Sequence, residues 1–197
     1  MLRASLLLLL LLPLQSSPAP APVAPDGPTY TPDGKLKFPA QYHEWIFLGA
    51  GIDMSYSAKA SGDMSMFNTV FANPSAYRVF QQTGTWPEGT ELVLENRGAA
   101  GDASINKHGK TQTAELMGVE VHVKDAAHSK GAWGFYAFDN AVSADLIPRQ
   151  ASCYSCHEQH AAVDTTFVQF YPTLYSTAKA KGTLSPAYLK ETPPPAK

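Results

Sequence analysis

Residues 153–157 read Cys-Tyr-Ser-Cys-His, and this pentapeptide constrains the chain more than any other stretch. Two thiols with two residues between them can add to the two vinyl groups of one haem. A histidine directly after the second thiol then lies under the ring, where its imidazole binds the iron. Cys153 and Cys156 are therefore expected as thioether anchors of one covalent haem c, and His157 as the proximal iron ligand. The alternatives are a two-cysteine redox motif, half of a zinc site and a structural disulfide. Zinc usually takes four ligands, and the chain has only 2 cysteines. A redox motif has no need of the adjacent His157.

The N-terminus points to the compartment where such a haem is attached. Met1-Leu2-Arg3 precedes the apolar run Leu6–Leu12, a stretch too short to span a bilayer. A signal peptide is expected over residues 1–17, with cleavage as late as residue 24. Ala19, Ala21 and Ala24 are each followed by proline, which disfavours cleavage and keeps an uncleaved anchor as the alternative. Haem c is attached outside the bacterial cytoplasm, so the expected location is periplasmic, free of the membrane once the signal is removed.

Residues 18–35 open on a Pro/Ala run and read as a spacer. A single haem domain is expected over residues 36–180, followed by a loose tail over 181–197. With both cysteines committed to haem, no disulfide braces the core. The net charge of −2 comes without any Lys/Arg run, which argues against a nucleic-acid surface. A redox partner protein is compatible with this charge but is not argued by it.

The chain between these ends alternates more than it coils. Residues 39–48 place Tyr42, Trp45 and Ile46 at helical spacing behind Pro39, and Gly49 and Gly51 are expected to end that helix. Residues 66–72 read as a strand. Asn73-Pro74 starts a helix that Gly84 closes. Strands are expected at 90–96, 114–124 and 132–138, with a long loop over 98–113. The haem motif sits on a short helical turn, and residues 163–180 read as a helix interrupted near Pro172. The fold class is α+β: a mainly antiparallel β-sheet with packed short helices and a C-terminal c-type haem motif. A four-helix cytochrome needs long amphipathic patterns that are not present.

Several stretches share one resemblance. They are Tyr42-His43-Glu44-Trp45-Ile46, Asn73-Pro74 with Tyr77, Thr83-Gly84 followed by Gly89-Thr90, Gly118-Val119-Glu120 and Val123-Lys124-Asp125. Trp133 with Phe135-Tyr136, the haem motif, and the ending Val163-Asp164 through Phe170-Tyr171-Pro172 complete the set. In this order, from residue 36 to about 175, the chain resembles the cytochrome P-460 family, which includes the beta-type cytochromes c-prime. The resemblance implies an antiparallel sheet domain, commonly a homodimer, with His157 as proximal ligand and an open sixth position on the iron. Some members oxidise hydroxylamine with the aid of a lysine cross-linked to the porphyrin. Others lack that lysine and bind nitric oxide or carbon monoxide under an apolar cap. The family lysine matches Leu94 here; Lys107 and Lys110 lie in the following loop, out of register. Asn68 and Gln169 stand where the hydroxylamine oxidiser carries arginine.

These departures favour a pentacoordinate haem protein that binds a small gaseous or nitrogen-oxide ligand such as nitric oxide. Hydroxylamine oxidation or weak peroxidase activity is the enzymatic alternative. An electron carrier with a sixth protein ligand is the other, methionine-ligated through Met54, Met64, Met66 or Met117, with the remaining histidines as further candidates. Distal-pocket candidates are Leu94, Asn68, Phe67 and Phe71. Strand parity puts Asn68 on the face opposite Phe67 and Phe71, and both phenylalanines are core residues by default. Glu120 is the candidate proton acceptor. It shares a strand face with His122 that is either solvated or part of the distal pocket. His160 follows His157 by three residues and cannot reach the opposite face of the ring; it reads as a surface residue or one that supports His157 from behind.

Overall fold

The computed structural model describes residues 26–54, 65–101 and 104–191. The expected signal peptide and most of the Pro/Ala run lie outside the described residues. A short strand β1 (Leu36–Lys37) is followed by a 3-10 turn at Tyr42–Glu44. Strands β2 (Ile46–Ile52), β3 (Met66–Ala72), β4 (Thr90–Ala100), β5 (Thr111–Lys124) and β6 (Trp133–Phe138) then form one antiparallel sheet in that order. A two-residue strand, β7 (Ser143–Ala144), pairs with β1. The fold is α+β, as expected, with one strand more in the main sheet than the alternation of the sequence supplies.

That extra strand is β2, which replaces the helix expected over 39–48. The spacing of Tyr42, Trp45 and Ile46 produces only the 3-10 turn. Backbone pairing of Ile46–Ile52 with β3 takes over from Ile46 onward. Gly49 marks a shift in that register, and its missing side chain lets the Phe170 carbonyl approach: a Cβ there would sit 2.6 Å from that oxygen. The expected loop over 98–113 is also shorter, because β4 and β5 extend into it as a paired hairpin, Ala99 with Gln112 and Ala100 with Thr111.

Parity divides the sheet into two layers. On one face Val93, Val121 and Tyr136 are cross-strand neighbours, covered by Leu36, Tyr42 and Trp45 from the N-terminal segment. Removing a valine of this kind from water contributes roughly 1.5–3 kcal/mol. Glu95 is buried on the same face, but Arg97 Nε and His43 Nε2 lie 2.6 and 2.8 Å from its carboxylate and the Tyr42 hydroxyl donates to it.

The other face carries the helices. α1 (Pro74–Thr83) packs Phe80 and Ala76 onto it and ends at Gly84 in the left-handed region. Asn73 holds the expected N-cap position, yet its side chain joins α1 to β4 instead, accepting from Glu91 N (2.9 Å) and donating to the Gly89 carbonyl (3.0 Å). The Asp26 carboxylate takes over the capping, accepting from the Ser75 backbone N–H at 2.7 Å. Asp26 and the Tyr30–Leu36 bridge tie residues 26–35 to the domain, so the expected spacer gives way to built structure ahead of Leu36.

α2 (Ser152–His160) bears the haem motif. A 3-10 turn (Val168–Phe170) and α3 (Pro172–Lys181) follow as separate elements. Pro172 opens α3 at its first turn, where its fixed φ is suited, rather than interrupting a longer helix. The expected loose tail is a correction as well: α4 (Pro186–Glu191) returns onto α2, with Ser185 bonding Ala161 and Ala162 and Tyr188 packed on the helical core.

Candidate haem site

α2 takes its orientation from Tyr154. This buried ring stacks on Phe135 of β6 at 4.3 Å, and its hydroxyl accepts from Phe135 N and donates to the Ile147 carbonyl. With Tyr154 turned to the core, Cys153, Cys156 and His157 come round to a different side of the helix. All three line a cavity of about 530 Å³ between α2 and the sheet. Both thiols are free and half-buried. The His157 ring is held by a 2.7 Å hydrogen bond from Nδ1 to the Thr165 carbonyl, which leaves Nε2 as the nitrogen with a free lone pair. Burial lowers the His157 pKa, and the Thr165 bond partly opposes that shift.

The sheet supplies the rest of the wall through register. Val70, Leu94 and Glu120 are successive cross-strand neighbours on β3, β4 and β5. One pair along, Leu92 faces His122; in the other direction Asn68 faces Asn96. All seven line the cavity, with Phe167, Phe170 and Tyr171 from beyond α2. The Asn68 amide donates to Asn96 Oδ1 at 2.7 Å, while its own Oδ1 is buried without a partner. Glu120 opens to the cavity, and the protein around it already disfavours its charge, so burial raises its pKa.

Several expectations meet this geometry. Leu94, Asn68 and Glu120 are brought together on one wall. Phe67 and Phe71 are not: they pair with Arg97 and Val93 on the opposite face, where Phe71 packs against Tyr42, His43 and Phe47. Parity makes the two sets exclusive, so neither phenylalanine caps this cavity. The face shared by Glu120 and His122 is a cavity wall rather than a solvated surface. Sequence reasoning gave His122 no role, yet its ring lies between Phe135 (4.1 Å) and His157 (4.6 Å). Burial, and then the neighbouring His157, hold it well below its ordinary pKa, so it is neutral. Its alternation with Glu120 was the available signal. Asn96 and Phe167 were also missed.

Among the methionine candidates, Met54 lines the cavity, lying against Gly51; Met66 and Met117 do not, and Met64 lies outside the described residues. Lys110 instead approaches Asp53, and Lys107 the Ser104 carbonyl. Gln169 joins the His160 carbonyl to Ala162 N, away from the cavity. His160 pairs with Glu191 on the surface.

The residues present fit a haem. The volume lies within the roughly 300–1,000 Å³ of small-molecule and cofactor pockets, the wall is mainly apolar, and two free thiols and an imidazole nitrogen face the space. An antiparallel sheet closed on one side by an imidazole-bearing helix defines the class, a small haem-binding domain. The chain belongs to the cytochrome P460 family: the family model, described as Cytochrome P460, matches residues 39–168. No individually curated protein matches it in sequence.

Proposed function

We propose that the protein is a periplasmic, exported haem c protein that binds a small neutral ligand such as nitric oxide at an open iron position. The observation that carries this reading is Leu94. It occupies the cavity wall where the resemblance puts a cross-linking lysine, and among the described residues no lysine lines the cavity. Held there by Cys153, Cys156 and His157, haem would supply an iron able to take up a small exogenous ligand.

The chain's own residues do the rest. Cys153 and Cys156, three apart on α2, present their thiols to the same space and would hold one such group covalently. His157 offers Nε2, its tautomer set by the Thr165 carbonyl. Val70, Leu92, Leu94 and Phe167 exclude water from the wall. Glu120 can hold or release a proton beside them. The Leu-rich start of the chain supports export. A homodimeric state and a redox partner protein belong to this reading too.

A second reading, a six-coordinate electron carrier, is favoured by one observation: the Met54 thioether lines the same cavity. Nitric oxide titration of the reduced, haem-loaded protein separates the possibilities. Stoichiometric binding, with no hydroxylamine turnover in the presence of an artificial electron acceptor, is expected. Absence of ligand uptake favours the carrier, and hydroxylamine turnover favours the oxidising enzyme. Haem staining that survives a denaturing gel, and is lost when both cysteines become alanine, is the expected sign of covalent attachment.

A further inference from the structure

The acceptor that orients His157 belongs to a tight turn, and the turn is held from outside. Val163 and Thr166 form a two-residue bridge, with backbone hydrogen bonds of 2.8 and 3.3 Å, that pushes Asp164 and Thr165 out as the tip. Asp164 sits at φ +52, a conformation uncommon for non-glycine residues but tolerated by Asp and Asn. Lys124, at the end of β5, places Nζ 3.0 Å from the Asp164 carboxylate and 2.7 Å from the Trp86 carbonyl. Trp86 in turn donates Nε1–H to Thr166 Oγ1 at 2.8 Å, in the core. The Lys124 side chain is 18% exposed and the Asp164 side chain 32%. Asp164 is solvent-facing, but the Lys124 side chain is mostly covered and also bound to the uncharged Trp86 carbonyl, which holds the pair in one geometry.

We propose that Lys124 is a positioning residue for His157, acting through Asp164 and the Thr165 carbonyl. This rests on the reading of His157 as the axial ligand. The donor strength of an iron-bound imidazole depends on the hydrogen bond its other nitrogen makes. That bond is only as fixed as the Thr165 carbonyl, and Lys124 fixes the turn that carries it. Lys124 and Asp164 both fall in the stretches that carry the family resemblance, and their pairing gives those stretches a shared task.

The test uses the haem-loaded full chain with Lys124→Met, Asp164→Asn and Lys124→Arg. Asparagine tolerates the positive φ, so Asp164→Asn removes the charge while keeping the shape of the turn. Positioning and simple field effects then differ in sign. If only the local charge mattered, loss of Lys124 would lower the haem reduction potential and loss of Asp164 would raise it. If Lys124 positions His157, both variants raise the potential, because a less well-held imidazole stabilises the oxidised iron less. Both then also lower the ferrous iron–histidine stretching frequency, and Lys124→Arg stays near the wild type. Opposite shifts, or unchanged potentials in folded variants, overturn the proposal. A wild-type protein with no iron–histidine band because methionine closes the sixth position defeats the open-site reading. The potential comparison still decides the role of Lys124 in that case.

Discussion

Two buried glutamates on the same face of β4 show how the same side chain acquires different tasks from its neighbours. Glu95 is held well below its usual range, at about 2: burial alone would raise it, but Arg97, Tyr42 and His43 override that effect. Glu91, four residues earlier, has no such partners. Burial, then the nearby Asp26 charge, raise it to about 8, and one of its oxygens is buried without a hydrogen bond. The folded state thus binds a proton at Glu91 more tightly than the unfolded chain. Stability should fall as pH rises from about 4.5 to about 8, by on the order of 5 kcal/mol when the whole shift is counted. Glu91→Gln is expected to flatten this part of the profile and to raise the melting temperature above pH 8, with little change near pH 5. Thermal melts across that range check it; an unchanged slope contradicts it.

Glu120 carries the residue-scale prediction for the cavity. Its raised pKa keeps it protonated at a higher pH than an ordinary glutamate, so its carboxylate becomes available as a base only as pH rises past that point. Ligand association rates measured against pH should show one inflection above the usual glutamate range, and Glu120→Gln should remove it. A profile identical in both proteins would show that Glu120 exchanges no proton during binding.

Elements were legible where local chemistry and tertiary packing agreed. β3 coincides with the apolar stretch 66–72, and α1 runs from Pro74 to the residue before Gly84 as the cap signals require. β2 was not legible, because an aromatic set at helical spacing behind a proline outweighed a strand that exists only through pairing with β3 and the approach of Phe170 to Gly49. α4 was hidden by the prolines around it, since nothing local reveals that Ser185 and Tyr188 dock on α2 and the helical core. Ending the chain after Lys181 should therefore weaken the haem helix. The expected result is a lower melting temperature and faster haem loss at low pH if attachment is blocked by Cys→Ala changes. Equal stability of the shortened chain would return this segment to the status of a tail. Loss of the Asp26 cap should cost about 1 kcal/mol of stability, read by denaturant unfolding of Asp26→Ala.

At the scale of the molecule, the sequence located the lower wall of the site and only part of the upper one. Cys153, Cys156 and His157 were readable as one group because their spacing on α2 brings all three to the same cavity. Leu94, Asn68 and Glu120 were reached through a resemblance, and the register of β3, β4 and β5 explains why they meet. Phe67 and Phe71 were misplaced because aromatic character says nothing about which face of a strand turns to the cavity. Asn96 became visible only once β3 and β4 were paired, whereas His122 was signalled by its alternation with Glu120.

The organisation of the cavity converges on one question, whether the position opposite His157 is open. On the proposed reading Leu94 and the apolar residues beside it would leave it open; among the described residues Met54 is the methionine on the cavity wall that could close it with sulfur. The most direct measurement is the optical and resonance Raman spectrum of the reduced, haem-loaded protein before any ligand is added. A five-coordinate, high-spin ferrous spectrum with an iron–histidine band is expected, unchanged in Met54→Leu. A low-spin, six-coordinate spectrum that becomes high-spin in Met54→Leu would contradict the account.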